Sequence, residues 1–352
     1  MDIKLNSKNI IGSKYPPYII AEIGSNHNGN LDLCKKLISE AKNTGANCAK
    51  LQSFTKNTIF SKKVYKDNYF IADDYRDRDD YTLEAIVDEY SVSQDDLLEI
   101  KKYCDQIKID FACTPFSKAE VDFLHNVLKV DFFKIASMDC NNYDFIEYIA
   151  NKNKPTILST GLSTHDEIEK AVRTFEATGN KKLIILHCTS IYPPKDTEIN
   201  LNRILTLQEL YPYPVGFSDH TIGSAIPIAS VVMGARIIEK HFTIDKKMEG
   251  WDHHMSANQE EMRETVKGCK KVFDGLGTKK IFRVESQEIV DSFRRSIVAK
   301  EKINKGTIIE RNLLDVKRPG TGMPPGKTND LLGKKTIRNI EEDEMINEDD
   351  FE

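Results

Sequence analysis

Eight short apolar, β-branched runs recur through residues 18–275 and are separated by amphipathic stretches. No other feature limits the possible folds of this chain as strongly. The runs occupy residues 18–23, 48–54, 109–114, 132–137, 156–160, 183–189, 215–218 and 237–242. Between them, residues 31–43, 118–127, 164–178 and 202–210 carry apolar side chains at helical spacing. Strands alternating with helices imply right-handed βαβ units and a parallel sheet, because only that hand packs the crossover helix back onto the sheet. Eight units in about 250 residues match a closed barrel in number and length. The competing open, doubly wound sheet would carry G-x-G-x-x-G after its first strand, and none is present. The expected fold is α/β, a (β/α)8 TIM barrel over residues 1–280.

Two intervals depart from this rhythm. Residues 56–96 are long and charged, centred on Asp73-Asp74-Tyr75-Arg76-Asp77-Arg78-Asp79-Asp80-Tyr81. A connection of that length after a barrel strand is either a lid or a solvated insertion. Beyond Gly277, residues 281–294 read as a polar linker. Residues 295–352 then break into short strands with turn signals such as Pro319-Gly320 and Pro324-Pro325-Gly326. A mostly β module of about 60 residues is near the smallest size at which one core suffices, so it is expected to dock on another surface.

Charge and cysteine usage exclude several function classes. With 55 acidic against 50 basic residues and a net charge of −5, the chain lacks the basic surplus that neutralises nucleic-acid phosphates. No apolar run approaches the ~18 residues of a membrane span, and Met1-Asp2-Ile3-Lys4 does not open a secretory leader. The cysteines (Cys34, Cys48, Cys104, Cys113, Cys140, Cys188 and Cys269) are odd in number, scattered and free of C-x-x-C. That pattern argues against a disulfide framework or a cysteine zinc site, and for a reducing, cytoplasmic compartment.

In a barrel of this kind the chemistry sits at the C-terminal ends of the strands. Polar residues collect there on nearly every run: Glu22; Lys50 and Gln52, two apart and so on one face; Thr114; Lys134, Ser137 and Asp139; Ser190 and Tyr192; Ser218 and His220; His241; then Asp252. Two lysines with clustered hydroxyls form a cradle for a polyanion. His220 and His241, ending adjacent strands, can share a divalent metal through their imidazoles. Glu22 is a carboxylate able to position a hydroxyl or a water. A single strand-end lysine is more often a salt-bridge partner, and a lone histidine is usually structural. His125, His165, His187, His253 and His254 are therefore not assigned to the site.

These motifs stand in an order that resembles the sialic acid synthase family: Ala21-Glu22-Ile23-Gly24, Asn26-His27-Asn28-Gly29, Lys50-Leu51-Gln52, Thr114-Pro115-Phe116-Ser117, Lys134-Ile135-Ala136-Ser137, Leu158-Ser159-Thr160-Gly161, Leu186-His187-Cys188-Thr189, Ser218-Asp219-His220-Thr221 and Glu239-Lys240-His241-Phe242-Thr243. Lys317-Arg318-Pro319-Gly320 extends the match into the C-terminal module, which resembles an antifreeze-like (SAF) domain. The resemblance implies condensation of phosphoenolpyruvate with an N-acylated hexosamine to a nonulosonic 2-keto acid, with phosphate released by C–O cleavage. It implies Mn2+ or Mg2+ on His220 and His241. It implies that Lys50, Thr114, Lys134, Ser137, Ser190 and Ser218 hold phosphoenolpyruvate. Glu22, Gln52, Asp139, Tyr192 and Asp252 would face the sugar. Arg318 would reach the sugar site of a second copy in a domain-swapped homodimer.

The loop Gly250-Trp251-Asp252-His253-His254-Met255-Ser256-Ala257 departs from the family pattern and leaves the identity of the sugar open. Trp251 either packs against the long insertion, the reading favoured, or walls the sugar. A sugar-phosphate synthase would need a second, Arg-rich phosphate pocket, which these loops do not supply. A metal-dependent hydrolase would want H-x-H where this chain has Asn26-His27-Asn28. A non-catalytic sugar-binding barrel is the remaining alternative.

Overall fold

The computed structural model describes residues 1–68 and 82–352, so the whole Asp73–Tyr81 run lies outside the described residues. The chain divides into two compact units, Met1–Gly277 and Thr278–Glu352.

A small antiparallel pair, β1 (Ile3–Lys4) and β2 (Ile10–Ile11), precedes the main sheet. Eight parallel strands follow: β3 (Tyr18–Gly24), β4 (Cys48–Gln52), β5 (Asp110–Thr114), β6 (Phe133–Ile135), β7 (Thr156–Ser159), β8 (Leu183–Cys188), β9 (Val215–Asp219) and β10 (Ile237–His241). Their order is β5-β4-β3-β10-β9-β8-β7-β6, and β5 and β6 lie alongside each other without ladder hydrogen bonds. The result is a nearly closed TIM-like barrel. Every residue of β3 and β8 is buried, as expected for parallel strands covered by helices on one side and by the barrel interior on the other.

The helices of this unit are α1 (Leu31–Thr44), α2 (Lys62–Asp67), α3 (Leu83–Tyr90), α4 (Gln94–Ile107), α5 (Lys118–Asn126), α6 (Tyr143–Ala150), α7 (His165–Ala177), α8 (Asp196–Ile199), α9 (Arg203–Leu210), α10 (Ala225–Val232) and α11 (Gln259–Leu276). Local sequence sets their limits. In α1, the Asn30 side chain accepts the Leu33 N–H, and Gly45 ends the helix at a φ of 95°. Cys34, Leu37, Ile38 and Ala41 recur at three- and four-residue intervals and face the barrel. Thr164 and Glu167 form a reciprocal capping box at the start of α7. Among the described residues no helix is long and apolar enough to cross a membrane.

The described part of the 56–96 interval contributes Leu83, Ile86, Val87 and Tyr90 to a separate apolar cluster that also contains Phe54. Trp251 packs on it, with ring centroids 5.4 Å from Tyr90 and 6.3 Å from Phe54. The only tryptophan of the chain thus anchors the loop after β10 to α3.

In the second unit, the segment read as a linker contains a helix, α12 (Gln287–Phe293), capped by Ser286 on the Ile289 N–H. Strands β11 (Ser296–Ala299) and β12 (Leu314–Lys317) pair antiparallel. Bridges such as Val298 to Met345 and Ile303 to Ile340 tie the remaining chain to them, and a short α13 (Thr328–Leu331) lies between. The core is small: Ile297, Ala299, Ile303, Ile309, Met323, Leu331, Ile340 and Ile346. Truncating one central member leaves few neighbours able to close the gap. Ile340→Ala is expected to cost about 2–5 kcal/mol. Hydrogen exchange should show faster amides through residues 295–352 and unchanged protection in β3–β10.

Candidate active site

Strand alternation aims one set of side chains into the barrel. Glu22 lies beside Lys50 and His241 in the β3–β4 and β3–β10 ladders, and Glu239 lies beside Ser218 between β10 and β9. At the C-terminal end these groups meet. Lys50 Nζ is 2.7 Å from Glu22 Oε2 and donates to Thr114 Oγ1 at 3.0 Å. Gln52 Nε2 donates to Glu22 Oε1 at 2.9 Å. Glu239 accepts from Ser218 Oγ at 3.0 Å and lies 3.3 Å from Lys134 Nζ and 3.6 Å from Lys50 Nζ. Glu22, Lys50, Lys134 and Glu239 are at most 5% exposed, so solvent screens none of these pairs.

The lysines are therefore not free charges awaiting an anion. Two ammonium groups without counter-ions could not stay charged in so dry a site, and two carboxylates balance them. Burial lifts the Glu22 carboxyl above its usual range in spite of Lys50. Burial also presses on Glu239, but Lys134 and Lys50 outweigh it and hold that carboxyl down at about 2. Burial depresses Lys134 against the pull of Glu239. Glu239 was not among the sequence candidates. The signal was present: it stands two residues before His241 and so shares its face.

A second corner gathers small polar groups. The Gly161 N–H donates to Ser137 Oγ at 3.1 Å, and Cys188 Sγ lies 3.8 Å from Ser190 Oγ. A Cβ on Gly161 would stand 2.3 Å from Ser190 Oγ, 2.8 Å from Ser137 Oγ and 3.2 Å from Cys188 Sγ, so only glycine leaves these groups their places. Burial pushes the Cys188 thiol up, but its hydrogen bond to His220 and that ring's charge outweigh burial and bring it to about 7. Cys188 sits in an apolar run and reads from sequence as core; its neighbour His220, just past the end of β9, is not legible there.

His220 and His241 approach with ring centroids 5.4 Å apart. His220 Nδ1 bonds to the Thr189 carbonyl at 2.9 Å, which fixes the ring. His241 Nδ1 is buried without a hydrogen-bond partner, 3.6 Å from Asp252 Oδ2. Burial and the neighbouring His220 keep His241 neutral, leaving lone pairs for a Lewis acid. This donor set fits a divalent ion with open positions for water or substrate, the arrangement of catalytic rather than structural metal sites. Among the described residues, the one group of three or more His, Cys, Asp or Glu with ligand atoms close together is elsewhere, at His165, Asp166 and Glu169 on α7.

On the remaining side, Gly24 leaves a gap bordered by Gln52 Nε2, Glu22 Oε1 and Asp252 Oδ2, each 3.4–3.5 Å from where a Cβ would be. The Tyr192 ring lies 4.2 Å from His220 and 6.2 Å from His241. Asp139 is on a single 3-10 turn after β6, accepts from Asn142 Nδ2 at 3.0 Å and is raised by burial. Arg318 belongs to the second unit, where its guanidinium stacks 4.9 Å from the Phe293 ring centroid. His187 bonds to the Ile199 carbonyl at 2.6 Å, and His253 is held by Thr243 Oγ1 at 2.7 Å and Asn28 Oδ1 at 3.1 Å. Both act as struts.

A barrel mouth with two buried lysines, two carboxylates, a hydroxyl corner and two facing histidines defines an enzyme built to handle an anion beside a polar partner. Comparison with known proteins gives the family. The NeuB family model matches residues 37–281, and the SAF domain model matches residues 294–352. The chain is 40% identical to an uncharacterized protein of Methanocaldococcus jannaschii, over 97% of this chain and 96% of that one. It is 37% identical to the N,N'-diacetyllegionaminic acid synthase of Campylobacter jejuni, over 94% of this chain and 98% of the relative. The crystal structure of the N-acetylneuraminic acid (sialic acid) synthetase of Leptospira borgpetersenii, in complex with citrate, superposes with a TM-score of 0.71 at 32% identity. It covers 82% of this chain and 94% of that one. The chain belongs to the NeuB family of nonulosonic acid synthases and is an enzyme.

Proposed function

We propose that the chain condenses phosphoenolpyruvate with an N-acylated hexosamine, releasing phosphate and a nonulosonic 2-keto acid. The observation that carries this reading is the convergence of Lys50 and Lys134, from separate strands, on the single carboxylate of Glu239. That spacing suits a compact anion with several oxygens. Thr114 on Lys50 and Ser218 on Glu239, with Ser137 and Ser190 in the corner at Gly161 and Cys188, would complete the donors for the carboxylate and phosphate.

The enol carbon of phosphoenolpyruvate attacks the aldehyde carbon of the open-chain sugar, forming the C–C bond and leaving cationic character at C2. Water adds to C2, and the resulting phosphate hemiketal expels phosphate by C–O cleavage. Lys50 and Lys134 compensate the phosphate and carboxylate charge throughout, and their placement in a dry site makes that stabilisation large. Glu22, lifted by burial, is suited to take and return a proton on the sugar side, with Gln52 orienting it. Asp139, Tyr192 and Asp252 contact the sugar. Mn2+ or Mg2+ on His220 and His241 would supply Lewis acidity toward the aldehyde oxygen. The active form is a domain-swapped homodimer in which Arg318 reaches the sugar site of a second copy. A cytoplasmic setting accords with seven free, buried cysteines.

The test is phosphate release from phosphoenolpyruvate with Mn2+, across N-acetylmannosamine, 2,4-diacetamido-6-deoxy hexoses and arabinose 5-phosphate. Release with a neutral amino sugar, and a product mass increased by the three-carbon acid, is the expected result. Release with arabinose 5-phosphate alone would move the chain to shorter-chain synthases. Silence with every acceptor would overturn the reading.

A further inference from the structure

The two metal-site histidines are each preceded by a charged residue, and those residues meet on the outer face of the barrel. In the β9–β10 ladder Lys240 stands directly opposite Asp219, one step from Glu239 opposite Ser218. Because Glu239 and Ser218 point inward, Lys240 and Asp219 point the other way. There the ion pair is sealed, with Lys240 2% and Asp219 0% exposed. Cys269 of α11 lies close enough for the Asp219 charge to be felt at its thiol, and it packs on the Pro227 carbonyl of α10 at 3.8 Å. Two helices thus cover the pair.

Its hydrogen bonding is unusually complete. Lys240 Nζ is 2.6 Å from Asp219 Oδ2 and 2.6 Å from the Thr221 carbonyl. Asp219 Oδ1 accepts from both the Thr221 N–H at 3.0 Å and Thr221 Oγ1 at 2.8 Å. His220 is the residue enclosed by this loop. The lysine that closes the loop is bonded through the chain to His241. One knot of hydrogen bonds therefore ties the backbone carrying the first histidine to the backbone carrying the second.

Stability alone does not account for a charged pair here. Taking both ions out of water costs about as much as their attraction returns, and well-packed apolar residues would serve the layer between barrel and helices at least as well. What the pair supplies, and apolar packing does not, is a fixed distance and direction between two strand ends.

We infer that the Lys240–Asp219–Thr221 knot is a positioning device that sets the spacing and orientation of His220 and His241 toward a shared divalent ion. The inference rests on the two-histidine metal reading. Its residues touch neither substrate nor ion; they act through the histidines they precede. Outer groups that orient metal ligands commonly change metal affinity by about 10–100-fold when removed.

The experiment is Mn2+ binding to the full chain, followed by the loss of the free-ion electron paramagnetic resonance signal, without phosphoenolpyruvate or sugar. Lys240→Met and Asp219→Asn should each weaken Mn2+ binding about 10–100-fold, and the double variant should be no weaker than the weaker single. Val172→Ala on α7, remote in sequence from both histidines and buried, lowers thermal stability without altering Mn2+ affinity. That control separates positioning from general loosening. If Lys240→Met fails to fold, Asp219→Asn, nearly identical in shape, gives the same reading. Wild-type binding with unchanged affinity in the variants would overturn the positioning role alone. Absence of Mn2+ binding by the wild-type chain would overturn the metal reading and this inference together.

Discussion

Lys134→Met should reduce kcat/KM for phosphoenolpyruvate by about 10³-fold, the scale on which a donor preorganised toward developing charge acts in a dry site. Its effect on folding should be much smaller. Among the described residues, the one carboxylate within ion-pair distance of Lys134 is Glu239, at 3.3 Å, and Glu239 keeps Lys50 at 3.6 Å and the Ser218 hydroxyl at 3.0 Å after the change. Lys50→Met should lose comparable activity but also destabilise the barrel by about 3–5 kcal/mol, the usual cost of stranding one member of a buried pair. Lys50 is the cation at 2.7 Å from Glu22, whose carboxyl burial already pushes upward. Without it, Glu22 is expected to take up a proton. Steady-state kinetics with urea unfolding separates the two variants: equal losses of activity, unequal losses of stability. Full activity in Lys134→Met would remove that residue from the anion site.

The barrel was legible because its signal is repeated. Each apolar run coincides with one strand to within two residues, and helices such as α7 begin and end within two residues of the expected limits, since Thr164 and Glu167 announce the cap in sequence. Helix α12 was not legible, because its seven residues lie mostly exposed in a polar stretch and only the Ser286 cap marks them. In the site, the residues that end strands could be gathered from topology alone, since a parallel barrel delivers every strand C-terminus to one mouth. Glu239 was within reach of the same face rule that paired Lys50 with Gln52. The neutral balance of the cluster was not, because it depends on distances between β4, β6 and β10. Cys188 is the harder case: nothing in an apolar run announces that His220 will stand against its sulfur. The outward pair Lys240 and Asp219 is invisible for a related reason, since a motif read as a string does not say which residues turn their backs on the site.

Gly161→Ala is expected to lower kcat/KM for phosphoenolpyruvate by about 10²-fold, near the lower end for disturbing a single donor group, while leaving the fold intact. The backbone of Gly161 is in a conformation open to any residue, so alanine adds no left-handed strain. What it adds is one methyl group, 2.3 Å from Ser190 Oγ, 2.8 Å from Ser137 Oγ and 3.2 Å from Cys188 Sγ. Contacts that short cannot persist, and the serine hydroxyls are the parts able to turn away. Overpacking of this kind costs about 1–3 kcal/mol, too little to unfold a barrel with so extensive a core. The loss should therefore fall on substrate binding and turnover. Gly275→Ala supplies the contrast: it lies in α11 with nothing within 4 Å of the added carbon, and should raise stability by about 1 kcal/mol with no change in kinetics. If Gly161→Ala were as active as Gly275→Ala, Ser137 and Ser190 would not be the groups that hold phosphoenolpyruvate. A loss in the first and not the second would assign that corner to the substrate without altering any polar side chain.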